Sequence, residues 1–378
     1  MRRVFVCAAL VLALTQAPGA HAQLNPDISV VGQPLITWTD DAASPARKRP
    51  VLDVGETELV FDAALNPYAR GFFTLAFADG EVGVEEGFFS LLRGLPAGIA
   101  LKGGKYRVGF GKFNLLHPHQ VPFAERPGVL TAYLPGEESY NETGADLSYR
   151  LPLPTAWSVT ASADVLQGDS FRLPREPSAA PDDPLVFDPE NGDAQAEPRA
   201  AWVGRLAAFA PVGDRSGVEL GFTVTEGTNN VAAWARTRLL GGDVKAKLWT
   251  GPNAYVLLQG EILSLDRDEA SWDDVASRYT LTGFRGTGGF LFADFNWDRR
   301  YNVGASVETF EDPSVAGERQ TAFGLFAGFA LMEETTAFRL DWRRIQPAAP
   351  PGGPDPEAIQ QLTLRAIFSM GPHKAHQF

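Results

Sequence analysis

Sulfur and imidazole are scarce in this chain. Of 378 residues, one is cysteine, three are methionine and five are histidine. The single cysteine, Cys7, lies in a stretch that reads as a removable leader. Without it the remaining chain has no thiol, which excludes a disulfide scaffold, a thiolate metal site and a cysteine nucleophile. Basic residues are also in deficit, with 33 Lys plus Arg against 46 Asp plus Glu and a formal charge of −13. A chain this acidic is a poor partner for nucleic acid, because phosphate binding needs a basic face. No run of 18 apolar residues occurs after the leader. A helical membrane span is therefore excluded there, and any crossing must be made by a closed β-barrel.

The leader has three parts. Arg2 and Arg3 form a basic start, Val4 to Leu14 an apolar run, and Ala20-His21-Ala22 a small-x-small cleavage site. This is the layout of a secretory signal peptide over residues 1–22. Residues 23–378 are then the mature chain. Loss of Arg2 and Arg3 takes its formal charge from −13 to −15.

What the chain has in quantity is glycine, proline and period-2 alternation. The 38 Gly and 28 Pro argue for many strands and turns. Val218, Leu220, Phe222 and Val224 alternate with Glu219, Gly221, Thr223 and Thr225. Tyr301, Val303, Ala305 and Val307 alternate with Asn302, Gly304, Ser306 and Glu308. Successive side chains on a strand point to opposite faces, so each segment has one apolar and one polar face. A secreted β-sandwich would give the same alternation. Segments of about 10 residues split by turns, with aromatics near the strand ends, favour a membrane barrel. The expected fold class is all-β, a single antiparallel transmembrane barrel of about 16 strands with no plug domain. An even strand count returns both termini to one side. On that side the turns are short, such as Asn66-Pro67 and Gly251 to Asn253. The outer loops fall near 40–54, 111–142, 168–199, 265–282 and 345–357. Gly241-Gly242 resembles a hairpin turn, but a turn there would invert this alternation. One long strand over 233–249 with a glycine bulge preserves it.

Several segments resemble a known family. Leu24-Asn25-Pro26-Asp27-Ile28-Ser29-Val30 opens the mature chain. Gly103-Gly104-Lys105-Tyr106-Arg107-Val108-Gly109-Phe110-Gly111-Lys112-Phe113-Asn114 and His117-Pro118-His119-Gln120 follow. Gly371-Pro372-His373-Lys374-Ala375-His376-Gln377-Phe378 closes it. In content and order these resemble porin-like outer-membrane barrels. That family is distantly akin to phosphate-selective porins and is sometimes labelled as zinc-regulated TonB-dependent outer-membrane receptors. The resemblance implies a porin-like barrel in the outer membrane of a Gram-negative bacterium. It also implies that terminal Phe378 addresses the outer-membrane assembly machinery. The receptor label conflicts with length, because such a transporter needs about 22 strands and a plug.

Candidate functional residues follow from this reading. If polar faces point inward, the lumen cations are Lys105, Arg107, Arg150, Arg205, Lys245, Lys247, Arg339, Arg343 and Arg365. The anions are Asp146, Asp164, Glu219, Asp243, Glu261, Glu308 and Asp341. Cations outnumber anions by two, and fixed charge sets a pore's ion preference. A mild preference for small anions is one expectation; cross-strand salt bridges without selectivity are the other. Loop 111–142, stiffened by Pro118, Pro122 and Pro127, is the candidate constriction. The four mature histidines fall in two pairs, His117 with His119 and His373 with His376. Zinc suits imidazole, so they form a candidate metal site. Two separate polar loop segments with hydrogen-bonded histidines are the simpler alternative. Zinc is the one cofactor considered. The excess acid lies in loops 168–199 and 265–282, where divalent ions could bridge to anionic lipid heads. The partners implied are outer-membrane lipids and lipopolysaccharide, small solutes or ions, and the assembly machinery, with no nucleic acid. A barrel hydrolase needs a histidine paired with a serine or oriented by a carboxylate. The His117 motif contains no serine, so no enzyme activity is expected. The function expected is a channel for passive diffusion of small hydrophilic solutes. A closed barrel presenting surface loops is the alternative.

Overall fold

The computed structural model describes residues 26–371, apart from 79, 137–138, 173–198, 274, 277, 316–317 and 333–334. The leader, most of loop 168–199 and the tail with His373, His376 and Phe378 lie outside the described residues. Eighteen strand segments form a single antiparallel sheet. They are β1 (Asp27–Gly32), β2 (Leu35–Thr39), β3 (Val51–Asp53), β4 (Thr57–Ala64), β5 (Ala69–Ala78), β6 (Glu81–Leu91), β7 (Ile99–Arg107), β8 (Asn141–Arg150) and β9 (Ser158–Leu166). There follow β10 (Ala201–Val212), β11 (Ser216–Asn230), β12 (Ala235–Gly251), β13 (Ala254–Asp273), β14 (Arg278–Trp297), β15 (Tyr301–Glu311), β16 (Arg319–Met332), β17 (Thr336–Gln346) and β18 (Ile359–Met370).

These segments make sixteen wall strands. β1 and β2 are one wall strand interrupted at Gln33-Pro34, and β3 and β4 are the next. β18 pairs with β1 through Val30↔Met370 and with β2 through Leu362↔Trp38, which closes the sheet on itself. Closure leaves no unpaired edge, the condition for a sheet to cross hydrocarbon. The fold is therefore the closed sixteen-stranded antiparallel barrel that the alternation predicts.

Register follows the period-2 pattern. Leu220, Phe222, Ile262, Val303 and Leu325 point outward and are exposed, while Glu219, Glu261 and Glu308 point inward. Outward aromatic rings gather at the short-turn end. Phe295, Trp297, Tyr301 and Phe329 stack in a row with centroids 5.6, 5.4 and 5.3 Å apart. Such girdles mark the boundary between hydrocarbon and headgroups.

Two expectations are corrected. β12 does run through Gly241-Gly242, but its register there is continuous, with no bulge. The glycine at 241 answers another need. A Cβ on it would sit 2.8 Å from the Phe110 ring inside the barrel. Secondly, 265–282 is mostly not a loop. β13 and β14 have 20 residues each and pair as far as Asp273↔Arg278. A membrane strand needs only about 9–11 residues, so this hairpin rises well into solvent. Both its faces are wet there, and Asp266, Asp268 and Glu269 mimic a loop composition. Short outer connections also occur, since β11 and β12 are joined by residues 231–234 alone.

Candidate channel constriction

After Arg107 the chain leaves the wall, crosses the interior over residues 108–136, and rejoins the wall at β8 after Tyr140. Within this segment lie short helical turns at Phe113–Leu115 and Pro118–Gln120 and one helix, α1 (Gly128–Tyr133). The sequence favours this path. Gly111 has φ +65°, and its bare Cα passes so close to Glu261 that a Cβ would lie 2.2 Å from Oε2. Proline at 118 starts a turn where no backbone donor is needed. Apolar residues of the segment, Val108, Phe110, Phe113, Val121, Phe123, Val129 and Leu130, are buried. They pack against inward Leu239, Leu263, Phe290, Phe292 and Phe310 of the wall. The barrel therefore has a hydrophobic core of its own at mid-height.

Asn114, fully buried, clips the two necks of the segment together. Its amide donates to Val108 O and Tyr140 O, both at 2.9 Å. Its Oδ1 accepts from Tyr140 N at 3.0 Å and from Arg126 at 2.8 Å. Burial pushes the Arg126 guanidinium down to about 10, with nearby Arg107 adding to the shift.

Wall groups from around the barrel then hold the segment. Glu261 accepts from the amides of Lys112 and Phe113 at 2.8 and 2.6 Å. The Lys112 ammonium reaches both oxygens of Glu219 at 2.8 and 2.9 Å. Glu308 accepts from Gly128 N at 2.7 Å, and Asp341 from Ala124 N at 3.2 Å. Arg365 donates to the carbonyls of Pro118, Val121 and Phe123 at 3.0, 3.0 and 2.8 Å. Arg339 donates to Val121 O as well.

At the other side of the lumen stand the histidines. The 111–142 connection folds inward, so His117 and His119 sit inside the barrel rather than at its outer end. Their rings stack with centroids 5.7 Å apart. His117 Nε2 lies 3.1 Å from Glu86 Oε2, and His119 Nδ1 lies 3.1 Å from Glu58 Oε1. Arg107 binds the same wall patch, donating its backbone amide to Glu86 at 2.9 Å, its guanidinium to Glu85 and Nη1 to Leu116 O at 3.0 Å. Burial acts to lower the His117 pKa. The facing carboxylates, Glu58 above all and then Glu85 and Glu86, outweigh it and hold the imidazole well above its usual value.

Glu58, Glu85 and Glu86 are absent from the sequence-based candidates. Glu85 and Glu86 both reach the interior because Glu85 is an extra residue in the ladder, with Thr74↔Glu86 followed by Leu75↔Val84. Bulges re-aim side chains in this way, often beside functional sites. A signal was available: two adjacent acids in a membrane strand cannot both face water without such a bulge.

Other predicted lumen residues divide. Arg205 pairs with Asp243 at 2.6 Å, and Arg343 pairs with Glu308. Asp164 accepts from Tyr106 OH at 2.8 Å. Lys245 and Lys247 lie on the inner face of β12, and Lys247 lies 4.5 Å from the Tyr255 ring centroid. Arg150 lies at the short-turn end and is exposed. Lys105 is a correction. It is exposed, pairs with Thr143 on the outward parity, and donates to Val84 O at 2.7 Å. Lys102, of opposite parity, faces inward over the Tyr106 ring at 4.0 Å.

Comparison with known proteins places this architecture. No family profile matches the chain. An uncharacterized protein of Aquifex aeolicus is 31% identical over 259 residues, 65% of this chain and 52% of that protein. The chain thus spans about half the length of this curated relative. Among solved structures, the outer membrane channel DcaP of Acinetobacter baumannii superposes with a TM-score of 0.59 at 8% identity, covering 94% of this chain and 99% of that one. An anion-selective porin from Comamonas acidovorans gives 0.58 at 9% identity, covering 92% and 100%. OmpT, an outer membrane protein of Vibrio cholerae, gives 0.55 at 12% identity, covering 94% and 99%. At these identities the likeness is one of fold. The chain has the fold of the outer-membrane porins.

Proposed function

We propose that this protein is an outer-membrane channel for passive diffusion of small hydrophilic solutes, narrowed at mid-height by residues 108–136. The observation that carries this reading is the anchoring of that segment. It is held to inward polar groups of β4, β6, β13, β15, β17 and β18, and so lies across the lumen rather than over its mouth. Purified protein in planar bilayers should give discrete conductance steps, and a variant with 113–135 replaced by a short linker should give larger ones. Absence of steps from both forms would overturn the reading.

A mild preference for small anions belongs to the same proposal, on a basis changed from the simple residue count. The wall carboxylates Glu219, Asp243, Glu261, Glu308 and Asp341 are engaged by Lys112, Arg205, Arg343 and loop amides. Lys247 instead rests on an aromatic ring, which leaves its positive charge uncancelled, while Arg339 and Arg365 donate to loop carbonyls with Asp294, Asp341 and Glu125 nearby. Fixed charge of one sign in a lumen biases which ions pass. Reversal potentials in a KCl gradient read this directly.

A closed barrel presenting its outer loops is the second reading, and the apolar filling favours it. The cavity between Phe123, Glu308, Asp341 and Arg343 holds only ≈ 20 Å³, room for about one water. The kinship with barrels distantly akin to phosphate-selective porins rests on the motif order given above. Lipids and lipopolysaccharide as outer partners rest on the exposed apolar wall, and use of Phe378 by the assembly machinery on its terminal position. No enzyme activity is part of the proposal.

A further inference from the structure

Three buried side-chain atoms beside the infolded segment converge without a hydrogen-bond partner. They are Glu58 Oε2, Glu85 Oε2 and His117 Nδ1. One comes from β4, one from the bulge in β6 and one from the segment that crosses the lumen. All three lie within 4.8 Å of one another. Nδ1 is 3.2 Å from the Glu58 oxygen and 3.4 Å from the Glu85 oxygen. Glu58 is 1% exposed. Leaving a buried polar atom without a partner costs about 1–3 kcal/mol, and more when it is charged. Two carboxylate oxygens turned toward one point therefore call for positive charge there, which is supplied either by a protonated His117 or by a bound cation.

The remaining atoms of these groups are already committed. Glu58 Oε1 is held by His119 at 3.1 Å, and Glu85 Oε1 by Arg107. His117 Nε2 faces Glu86 Oε2 at 3.1 Å. A cation entering here displaces the proton from Nδ1 to solvent, while Nε2 keeps its proton on Glu86, so that Nδ1 offers a lone pair between the two oxygens. A carboxylate behind an imidazole is the usual outer partner of a metal-bound histidine, fixing its tautomer and ring plane. Spacing agrees as well. Ligands about 2.0–2.1 Å from a tetrahedral ion stand roughly 3.4 Å apart. Three carboxylates, Glu58, Glu85 and Glu86, face one guanidinium, Arg107, so a dication that replaces the His117 proton improves the charge balance.

We propose that Glu58, Glu85 and His117 form a divalent-cation site that takes zinc or a similar borderline ion, with His119, Glu86 and Arg107 as positioning residues. One imidazole and two carboxylate oxygens suit zinc, with water in the fourth position. They are too few for calcium, which takes 6–8 oxygens, and the imidazole suits magnesium poorly. Bound there, the ion clasps the infolded segment to the wall between β4 and β6. That consequence rests on the channel reading above; the binding itself does not.

The test uses the full-length protein in detergent micelles, stripped with a chelator and then dialysed. Zinc, calcium and magnesium chloride are each titrated calorimetrically. The expected result is one zinc per chain at micromolar or lower Kd, with no competition from millimolar calcium or magnesium. His117→Gln and Glu58→Gln should each weaken zinc by more than about 100-fold. His119→Gln should cost about 10-fold, as an outer-shell loss does. A control with His373→Gln and His376→Gln together should leave affinity unchanged. Shifted mobility on unheated gels confirms that each variant is a folded barrel. Cobalt in place of zinc should give the visible absorption of a tetrahedral site in the parent and lose it in His117→Gln. The proposal is overturned if zinc fails to bind at 100 μM, which is about 100 times the roughly 1 μM Kd expected. It is also overturned if binding survives His117→Gln, or is lost in the tail variant. Zinc binding through His117 in a protein that shows no conductance steps supports the site and refutes the channel.

Discussion

Removal of the Asn114 side chain is the sharpest probe of the constriction. Asn114→Ala deletes two donated bonds, to Val108 O and Tyr140 O, and two accepted ones, from Tyr140 N and Arg126. A net hydrogen bond contributes about 0.5–1.5 kcal/mol, and one to a charged partner about 1.5–3. Three neutral bonds and one charged bond sum to roughly 3–7 kcal/mol. Tyr140 O keeps its bond from Val108 N at 2.9 Å, and water can enter a polar gap, so about 3–4 kcal/mol is the working figure. Every 1.4 kcal/mol is tenfold in an equilibrium, so the detached population of the segment rises by about 10²–10³. The hydrogen bonds of the Asn114 side chain all stay within this segment, so the wall should stay intact. Hydrogen exchange of residues 108–136 should speed by that factor while strand amides stay protected. Single-channel records should gain a larger, noisier open level. Asn114→Asp keeps both acceptor bonds and loses both donors, and should fall about midway. Unchanged exchange across 108–136 in Asn114→Ala, with the barrel folded, would refute the idea that this side chain holds the constriction in place.

Other outcomes follow from single contacts. Gly111→Ala places a Cβ at φ +65° and 2.2 Å from Glu261 Oε2; it should cost about 1–2 kcal/mol from backbone alone and loosen the Lys112–Phe113 anchor, read as faster proteolysis of the segment. Arg339→Gln with Arg365→Gln should move the KCl reversal potential toward cation selectivity, whereas Lys105→Gln, on the outer face, should leave it unchanged; equal shifts from both would contradict the register. Leu325→Arg puts a charge on the outward wall and should lower folding stability in lipid vesicles by about 2–4 kcal/mol near the midplane; a neutral effect would mean that this face does not meet hydrocarbon.

The wall was legible because a strand has one simple period and a barrel repeats it. Val218 to Thr225 and Tyr301 to Glu308 alternate as they pair. The run through Gly241-Gly242 was legible only through the count of turns, since glycine by itself suggested a hairpin. Errors arose where both faces share one solvent. Beyond the membrane, β13 and β14 have water on either side, so Asp266, Asp268 and Glu269 carry no facial signal. Lys102 and Lys105 have opposite parity, so only one can enter the lumen from an unbroken strand. Arg107 shares the parity of Lys105 yet reaches inward, because the ladder ends there. Parity cannot register a strand end or a bulge such as the one at Glu85. The interior of the site was the least legible part. His117 and His119 stood out by rarity, but their partners Glu58, Glu85 and Glu86 lie 31 to 61 residues away. Those contacts exist only because the intervening chain folds back through the barrel, and no local pattern encodes that path.

Unequal strand lengths give the barrel a tilted rim. β5 stops after 10 residues at Ala78, while β13 and β14 continue for 20. At about 3.3 Å per residue and a tilt near 40°, the ten extra residues raise one lip about 25 Å above the other. Seen from the medium, the mouth is a spout rather than a circular well. A tag or epitope inserted at the crest near Val275 would stand clear of the lower rim, far from residues 108–136, and mark the protein without entering its lumen.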